Sequence, residues 1–458
     1  MGEPQEDEVW VGDVRQFAQL LPSGSVHCIV TSPPYWSLRD YGTARWEGGD
    51  AACDHVQHRQ NLNVGFNERW GNSPGQKKQE QTRATQYRDR CGKCGAVRVD
   101  RQLGLEPTVG EFVANLVAVF RALRPALRDD GVVFCNLGDS YANDAKWGGV
   151  TGGKHAAGLH GGGGPGRGRT ASGLPPKCLA MAPARFAIAM VEDGWILRND
   201  IIWHKPNPMP ESVTDRFTTS YEHVFFFTKR PTYWADMEAV KEPNSEGAVA
   251  RFGKNPMLTP NTKYRDMAGT SLAAAAQRMP EWLPIGRNAR DVWTLPTSGF
   301  AGSHYATFPP DLARKCIRAG CPPRVCARCG APWVRLVERE AVPKEKRTGR
   351  GWLSGIAEQD NWESGTPTHS GLGNPDATLV TTLGWRPTCA CGPDVGTRPG
   401  VTMDPFMGSG TTALVAVQEN RDWIGADLDP RSAGWVAERL AGAQRRLPLD
   451  LAGAAAGG

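Results

Sequence analysis

The sequence predicts an α/β protein built on a doubly wound sheet in circularly permuted order, with two cysteine-rich insertions. Three observations support this prediction. Short apolar runs typical of buried strands alternate with amphipathic stretches near both ends of the chain. A glycine-rich turn follows Asp404, and the 54 residues beyond Asp404 are too few to complete such a sheet, so its other strands must come from the N-terminal half. Twelve cysteines include two C-x-x-C pairs, each with partner ligands elsewhere in the chain.

Length and composition limit the class of protein. At roughly 150 residues per domain, a chain of 458 residues suits one large core with insertions or two to three modules. The formal net charge of +5 permits a polyanionic partner. Because no apolar run reaches about 18 residues and the acidic N-terminus lacks the features of a signal peptide, we expect a soluble, cytoplasmic protein.

Residues 1–50 form the first part of the predicted core. Their apolar pattern predicts strands at 9–13 and 26–30, joined by an amphipathic helix that ends at Leu21. A Pro-Ser-Gly turn separates the helix from the second strand. Residues 51–100 lose this pattern and contain cysteines, so we expect an insertion there.

Strand and helix patterns resume in residues 101–235. Apolar residues at three- and four-residue spacing predict a helix at 111–123, and an apolar run predicts a buried strand at 131–137. The glycine-rich segment 143–173 has too few apolar residues to offset its ordering entropy, so we expect a mobile loop. Further core elements are a helix at 185–192 and strands at 195–203 and 222–228.

The second half of the chain alternates between core and insertions. Residues 236–290 lose the periodic pattern, and a short helix at 312–319 marks the core segment 291–320. The final core part is predicted as a strand, a glycine turn, a helix, a strand and a closing helix. The remaining predicted bounds are 321–395 for the second cysteine insertion, 396–445 for the final core part and 446–458 for a tail.

The cysteines predict two structural zinc sites. Thiols in an intracellular chain stay reduced, so paired spacings favour metal ligands over disulfides. Both pairs share the pattern C-x-x-C-G-A, in which a tight turn aims two thiolates at one tetrahedral ion and glycine relieves the backbone. Four ligands from the chain leave no open position for a substrate. The predicted ligands are Cys53, His55, Cys91 and Cys94 in the first site, and Cys326, Cys329, Cys389 and Cys391 in the second.

The sequence leaves alternatives to these ligand sets open. His58 could replace His55 in the first site, and Asp54 could compete as a ligand. A redox-active C-x-x-C pair or plain buried thiols would also fit the spacing. The repeated Gly-Ala and the partners available to each pair favour zinc.

The segment after residue 400 predicts a cofactor site. A strand ending in Asp404-Pro405 leads into Gly408-Ser-Gly410, which satisfies G-x-G-x-x-A and lets the backbone approach a ligand closely. Asp427 ends the next strand, nineteen residues beyond Gly408, where a carboxylate would accept hydrogen bonds from ribose hydroxyls. No Gly-Lys-Ser/Thr follows the turn, which excludes the Walker pattern. A carboxylate at Asp404 suits an adenosyl cofactor with an ammonium group better than a nicotinamide dinucleotide.

A second candidate site follows the strand at 26–30. In Thr31-Ser-Pro-Pro-Tyr-Trp36 two prolines fix the backbone and remove two donors, which frees carbonyl oxygens to point outward. A carbonyl, a hydroxyl and an aromatic ring then lie together. This combination suits a base with an exocyclic amino group, because the amine needs two acceptors and the base can stack on the ring. On its own, the motif would also fit a simple turn.

These motifs resemble those of the amino-group DNA methyltransferases of the β order, in which the catalytic motif precedes the S-adenosylmethionine motif. Residues 31–36 match the catalytic motif in its serine form, and residues 404–412 match Asp-Pro-Phe-x-Gly-Ser-Gly-Thr-Thr. The match covers about half the chain, and the long insertion before Asp404 departs from it. Further matches are the adenine-contacting pair Gly12-Asp13, the strand around Glu222, Trp203-His-Lys205, and the segment through Phe308, which resembles the cover over the methionine end of the cofactor.

The resemblance implies a permuted Rossmann-like sheet of the S-adenosylmethionine-dependent methyltransferases, with zinc-binding insertions. It also implies base flipping, with Tyr35 stacked on the target base and with Ser32 and the Pro33 carbonyl accepting its amino hydrogens. The implied catalytic residues are Ser32, Pro33, Pro34 and Tyr35, and the implied S-adenosylmethionine-binding residues are Asp13, Phe308, Asp404, Pro405, Phe406, Gly408, Gly410, Thr411, Thr412 and Asp427.

The resemblance further implies a substrate and a setting. Serine at the first motif position is typical of the cytosine-N4 branch, so we expect N4-cytosine methylation of double-stranded DNA, with N6-adenine methylation as the alternative. Residues 236–290 occupy the family's usual place for target recognition, where basic side chains would contact phosphates or form a solvated face. A cognate restriction endonuclease is a candidate partner, and the implied host is a prokaryote or a phage.

Two rival classes use the same features differently. A catalytically silent, zinc-containing nucleic-acid-binding protein would need only the cysteine modules. The residues that argue against it are the intact Ser32, Tyr35, Asp404 and Asp427. An RNA or protein methyltransferase on the same fold is the second rival, and substrate competition would separate it from a DNA enzyme.

Overall fold

The structure is a computed structural model that describes residues 7–37, 41–60, 82–87, 90–142, 173–243, 287–298, 308–341 and 378–443. The chain divides into two compact units. One unit contains Met1–Trp234, Asp291–Cys321 and Gly400–Gly458, and the other contains Ala235–Arg290 and Pro322–Pro399.

The first unit is built on an eight-stranded sheet. Its strands, in chain order, are β1 (Val9–Val11), β2 (Val26–Thr31), β3 (Leu127–Leu137), β4 (Ile196–His204), β5 (Tyr221–Thr228), β6 (Val292–Thr294), β7 (Val401–Asp404) and β8 (Asp422–Asp427). Their spatial order is β1-β8-β7-β2-β3-β5-β4-β6. The pairs of β5 with β3 and β4 are antiparallel, and the other pairs are parallel.

The position of β7 and β8 confirms the predicted permutation. These two C-terminal strands lie between β1 and β2, which come from the N-terminus. β7 pairs with β2 in parallel, with Thr402 opposite Cys28 and Met403 opposite Ile29. The fold is therefore the predicted permuted α/β sheet, in which the last two strands of the chain lie between the two N-terminal strands.

Helices cover the sheet in two groups. They are α1 (Val14–Leu20), α2 (Val109–Leu123), α3 (Ala182–Glu192), α4 (Pro310–Gly320), α5 (Thr411–Gln418) and α6 (Ser432–Leu440). Helix α2 contacts α1 and α3, whereas α5 contacts α4 and α6. Ile29, Val133 and Cys135 belong to the apolar cluster formed with α1, α2 and α3. Neighbouring strand residues face the other way, since Val132 and Phe134 lie against Gly320 of α4. The sheet is thus buried on both faces, as expected for an α/β core.

Two element bounds differ from the sequence prediction for identifiable reasons. Helix α2 begins at Val109 rather than at residue 111, because Thr108 and Glu111 form a reciprocal capping box. Strand β3 begins at Leu127 rather than at residue 131, because Leu127 pairs with Val26 of β2. Cross-strand pairing therefore extends β3 through polar residues that carry no strand pattern of their own.

The insertions contain short antiparallel ladders. In the first unit, Arg45–Glu47 pairs with Val97–Val99, and Val56–Gln60 pairs with Thr82–Gln86. In the second unit, Val325–Cys326 pairs with Thr397–Arg398, and Trp333–Ala341 pairs with Thr378–Pro387.

Several sequence predictions fall outside the described residues. They are the glycine-rich loop apart from Gly173, most of the segment 236–290, and the tail. Across the ranges that the structure does describe, no helix combines the length and the apolar character needed to cross a membrane.

Candidate functional site

The two predicted motifs meet at one edge of the sheet. β2 ends at Thr31 and β7 ends at Asp404, and both strands run in the same direction as neighbours. In an open α/β sheet, ligands bind outside the carboxyl ends of the strands. The proline-rich motif and the glycine turn therefore begin side by side, although 373 residues separate Thr31 from Asp404 in sequence.

Asp404 connects these two loops. Its Oδ1 accepts hydrogen bonds from the Thr31 hydroxyl at 2.6 Å and from the Phe406 backbone N–H at 3.0 Å. Its Oδ2 accepts a bond of 2.7 Å from the Thr412 hydroxyl. The residue is 1 % exposed, and burial raises the pKa of its carboxyl to about 6. The carboxylate oxygens of Asp404 thus accept hydrogen bonds from Thr31, Phe406 and Thr412 of the chain itself.

The glycine turn after Asp404 has the backbone conformation that its sequence predicts. Gly408 and Gly410 have φ values of +53° and +77°, in the left-handed region that favours glycine. The Gly408 N–H donates to Asp427 Oδ2 at 2.7 Å, and the Asp429 N–H donates to Asp427 Oδ1 at 2.8 Å. Burial raises the pKa of Asp427 to about 6. The glycine turn at the end of β7 is therefore joined by a hydrogen bond to the carboxylate at the end of β8.

A cavity of about 150 Å³ brings parts of both motifs together. Ser32 and Pro34 line it beside the glycine turn. Pro33, Tyr35, Asp404, Gly410 and Thr412, which were also predicted as site residues, are not part of the lining. The predicted cofactor residues that do line the cavity are Asp13, Phe308, Pro405, Phe406, Gly408, Thr411 and Asp427.

Tyr35 is held by a cluster of polar side chains from neighbouring strands. Its hydroxyl donates to Glu222 Oε2 at 2.5 Å and accepts from Asn136 Nδ2 at 2.7 Å. Asn136 Nδ2 also donates to Glu222 Oε2 at 2.8 Å, and Lys205 Nζ forms an ion pair with Glu222 Oε1. Burial raises the pKa of Tyr35 well above its usual value. Ser32 Oγ lies 3.4 Å from the Tyr35 hydroxyl.

Glycines allow the close packing of Tyr35. A Cβ atom at Gly138 would lie 2.5 Å from Tyr35 Cε2, and a Cβ atom at Gly104 would lie 2.6 Å from the Tyr35 carbonyl oxygen. Both distances are shorter than any real Cβ contact, so neither position accepts a side chain without displacement of Tyr35.

Comparison with known proteins identifies the family. The N6_N4_Mtase family model, described as DNA methylase, matches residues 26–325 and 397–434. The chain belongs to this family. It is a DNA methyltransferase that depends on S-adenosylmethionine, and the methyltransferase fold of its first unit agrees with this assignment.

Relatives of the methylase are Type II methyltransferases. M.XycI of Xanthomonas campestris pv. cyanopsidis is 28% identical over 432 residues, which cover 94% of this chain and 86% of that protein. M.SmaI of Serratia marcescens is 32% identical over 317 residues, which cover 69% of this chain and 76% of that protein. Among solved structures, the PvuII DNA methyltransferase (cytosine-N4-specific) matches with a TM-score of 0.44 and 14% identity, covering 98% of this chain and 90% of that one.

The methylase assembles the first predicted metal site from two segments. The ligand atoms of Cys53, His55, Cys91 and Cys94 all lie within 4.8 Å of one another. Cys53 Sγ lies 3.7 Å from Cys91 Sγ, and Cys94 Sγ lies 3.5 Å from His55 Nδ1. A tetrahedral zinc ion with Zn–S bonds of about 2.3 Å places its sulfur ligands roughly 3.8 Å apart. These atoms could therefore hold zinc without rearrangement.

The second cluster repeats the backbone of the first. Cys326, Cys329, Cys389 and Cys391 also bring their sulfur atoms within 4.8 Å of one another. Gly95 and Gly330 have φ values of +75° and +67°, and each donates a hydrogen bond of 2.9 Å to the carbonyl of the first cysteine in its pair. The sequence prediction that glycine relieves this turn is confirmed in both clusters.

Local hydrogen bonds favour the thiolate of one cysteine in each cluster, whereas the pKa values of Cys53, Cys389 and Cys391 are raised. The Ala96 backbone N–H lowers the pKa of Cys94 to about 6, and the Cys329 backbone N–H lowers that of Cys326 to about 6. Thiolates are the form that binds zinc. In the first cluster, Asp54 binds Lys93 Nζ at 2.7 Å and is not among the clustered ligands. The side chain of His58, the alternative to His55, lies outside the described part of the chain.

The side chains around Tyr35, here called the Tyr35 cluster, include three that were not predicted as site residues: Asn136, Lys205 and Glu222. Asn136 is a polar residue within the buried apolar run 131–137, and this contrast is a signal that the sequence offered. Lys205 and Glu222 lie in segments that resemble the family, but the resemblance gave them no role. Among the basic residues of the segment 236–290, the structure describes Lys241, Arg287 and Arg290. Lys241 Nζ lies 2.6 Å from Glu238 Oε2, and the two arginines each place Nε 3.1 Å from Glu242 Oε2.

Proposed function

We propose that the methylase transfers a methyl group from S-adenosylmethionine to the N4 amine of cytosine in double-stranded DNA. The observation that carries this proposal is the shared cavity, because Ser32 of the catalytic motif lines it together with Gly408 of the glycine turn. A serine at the head of the motif is typical of the cytosine-N4 branch that the sequence resembles. The name of the PvuII enzyme, to which the chain is similar, carries the same specificity.

The cofactor side of the cavity offers groups that suit S-adenosylmethionine. The Gly408 turn gives close backbone approach, and Asp13 and Asp427 line the same cavity. The Asp13 carboxylate also binds Arg15, and that of Asp427 accepts from the N–H groups of Gly408 and Asp429. The same cavity is also lined by Phe308, Pro405, Phe406 and Thr411. Asp404, Gly410 and Thr412 contribute by holding the turn in place, since Asp404 binds Thr412 and a Cβ at Gly410 would lie 2.7 Å from Val436 Cγ2.

On the base side, Tyr35 and the proline motif receive the flipped cytosine. Tyr35 stacks on the base. Ser32 Oγ and the Pro33 carbonyl oxygen accept hydrogen bonds from the two N–H groups of the amine. When bound, the cofactor would supply an electrophilic methyl group. The N–C bond forms as the S–C bond breaks, S-adenosylhomocysteine leaves, and the amine nitrogen releases one proton to water. The chain's own task is to hold the amine lone pair in line with that methyl group, and positioning of this kind can offset roughly 7–11 kcal/mol of the barrier.

The two cysteine clusters are proposed as structural zinc sites. Four ligands in each cluster complete a tetrahedral shell, so the ions would stabilise the insertions and take no part in methyl transfer. The geometry in the first cluster and the repeated C-x-x-C-G turn support this assignment.

The biological setting is part of the same proposal. The relatives are bacterial Type II methyltransferases, which suggests a cytoplasmic enzyme paired with a cognate restriction endonuclease. Residues 236–290 are proposed as the target recognition region, in which basic side chains position the DNA backbone.

One experiment tests the base and the reaction together. The purified chain is incubated with methyl-labelled S-adenosylmethionine and double-stranded DNA, and the DNA is then digested to nucleosides. The expected product is labelled N4-methylcytosine, with no label in DNA treated with Tyr35→Ala. Label in N6-methyladenine alone would overturn the choice of base, and label in added RNA or protein in preference to DNA would overturn the substrate.

A further inference from the structure

The Tyr35 cluster contains one charged pair, formed by Lys205 and Glu222. The side chains of Lys205 and Glu222 are 19% and 14% exposed, and the ammonium lies against Glu222 Oε1. Lys205 Nζ also lies 4.6 Å from the centre of the Trp203 ring, a cation–π contact that fixes its place. Tyr35, Asn136 and Lys205 all place donors against the Glu222 carboxylate, so Glu222 accepts hydrogen bonds from each of these neighbours.

The acceptor at Glu222 fixes the direction of the next hydrogen bond. Tyr35 has a single hydroxyl proton and lies 2.5 Å from Glu222 Oε2, so this proton must point to the carboxylate. Because burial raises the pKa of Tyr35, the hydroxyl keeps its proton at neutral pH. The Tyr35 oxygen can then only accept bonds from its other neighbours.

Asn136 is oriented by the same acceptors. Its Nδ2 donates to the Tyr35 hydroxyl at 2.7 Å and to Glu222 Oε2 at 2.8 Å. A flipped amide would place Oδ1 against a carboxylate and against a hydroxyl whose proton is already used. Asn136 keeps this orientation although its buried Oδ1 has no hydrogen-bond partner among the residues that the structure describes. Glu222 therefore accepts from Tyr35, Asn136 and Lys205, and the Tyr35 hydroxyl accepts from Asn136.

Ser32 stands at the end of this cluster. Its Oγ lies 3.4 Å from the Tyr35 oxygen, which can only accept, and 3.4 Å from Asn136 Nδ2, which can only donate. Contacts of this length are long for hydrogen bonds, but those in catalytic sites often tighten when the substrate binds. A Ser32 proton directed to the Tyr35 oxygen would leave a Ser32 lone pair for a donor that arrives from the cavity.

We propose that Glu222, paired with Lys205, is a positioning residue that makes the Ser32 hydroxyl an acceptor for the target amine. An exocyclic amine presents two N–H donors, and a serine whose own proton pointed into the cavity would repel them. The inference rests on the proposed function only in taking Ser32 as the group that meets the amine. It adds that Glu222 and Lys205, which lie outside the motif, determine the direction in which the Ser32 hydroxyl points.

The substitution Glu222→Gln tests this direction. Glutamine has nearly the same shape, but its amide can donate to Tyr35, so the Tyr35 proton can turn to Ser32 and the Ser32 proton to the cavity. We expect a transfer rate in single turnover about 10- to 100-fold below that of the unchanged chain. The dissociation constant for S-adenosylmethionine should stay within about twofold, because Glu222 does not line the cavity.

A double-mutant cycle separates this role from simple support of Tyr35. In the Ser32→Ala background no hydroxyl remains to be oriented, so Glu222→Gln should change the rate by less than about twofold. Tyr35→Phe keeps the ring but removes the hydroxyl, and it should reproduce the loss seen in Glu222→Gln. Lys205→Arg should retain most of the rate, whereas Lys205→Met should lower it. Asp129→Asn, which removes a carboxylate paired with Lys229 at the start of β3, serves as the matched control with an unchanged rate.

The outcomes are distinguishable from failure of the proposed function. An unchanged rate in Ser32→Ala would overturn the role of Ser32 itself. A loss in Ser32→Ala that simply multiplies with the loss in Glu222→Gln would leave the role of Ser32 intact and overturn the inference about Glu222. A wild-type rate in folded Tyr35→Phe would overturn it as well, and thermal melting with S-adenosylmethionine binding confirms that each variant is folded.

Discussion

The hydroxyl of Thr31 donates a hydrogen bond of 2.6 Å to the carboxylate of Asp404. This bond joins the last residue of β2 to the last residue of β7, and thereby couples the catalytic motif to the glycine turn. Asp404 is almost fully buried, so its carboxyl charge has a cost that the surrounding hydroxyls only partly offset. The position of this residue leads to the first prediction.

Asp404→Asn should change how stability depends on pH. Burial raises the pKa of Asp404 from 3.8 to about 6, so the folded chain holds this proton more tightly than the unfolded chain. The contribution of Asp404 to the unfolding free energy therefore falls as pH rises from about 4 to about 6. Denaturant unfolding across this pH range should show a smaller fall in unfolding free energy for Asp404→Asn than for the unchanged chain.

The pH dependence should not vanish in Asp404→Asn. Burial also raises the pKa of Asp427 to about 6, so this second carboxyl titrates in the same range. Asp427→Asn should likewise reduce the fall in unfolding free energy with rising pH, and the variant with both substitutions should reduce it further. Identical pH profiles for the unchanged chain and Asp404→Asn would contradict the inward position of Asp404.

Substitutions at Asp427 and Tyr35 should separate cofactor binding from transfer. Asp427 lines the cavity beside the glycine turn, and hydrogen bonds to a charged group contribute about 1.5–3 kcal/mol. Asp427→Ala should therefore weaken binding of S-adenosylmethionine by about 10- to 100-fold in calorimetry. Tyr35→Ala should bind the cofactor almost normally and lose methyl transfer. Equal losses of binding in both variants would contradict the division of roles.

Gly138→Ala should impair transfer through Tyr35. The added Cβ would lie 2.5 Å from Tyr35 Cε2, so the ring must move. We expect a clear loss of transfer rate with little change in binding of S-adenosylmethionine, because Gly138 does not line the cavity. Gly434→Ala in α6 is the control, since its Cβ meets no atom within 4 Å and alanine favours a helix. A normal rate in Gly138→Ala would show that the position of the ring is not critical.

The purified protein should contain two zinc ions per chain. Cys329→Ser should remove one ion and Cys91→Ser the other, as measured by elemental analysis. Because a structural site contributes to folding free energy, a chelator should lower the melting temperature. Cys28→Ser, at a buried cysteine outside both clusters, should leave the metal content unchanged. Metal content near zero in active protein would refute both assignments.

Local sequence patterns determined much of this fold. The apolar runs that became β2 and the later half of β3 were visible because a strand buried on both faces must be apolar throughout. The permutation also followed from the sequence, since too little chain remained after Asp404 to supply the missing strands. The C-x-x-C-G turns were predictable for the same local reason, because two thiols must converge within a few residues.

The tertiary structure decided which side chains meet. Nothing local showed that Asp404 would turn inward to Thr31, because that contact depends on β7 and β2 becoming neighbours across most of the chain. Asn136, Lys205 and Glu222 come together for the same reason, since β3, β5 and β4 are adjacent only in the folded sheet. Hydrophobic periodicity records which face of a strand is buried but not which strand lies beside it. The sequence alone therefore determined the strands and the motifs, and the order of strands in the folded sheet decided how Ser32 and Tyr35 are held.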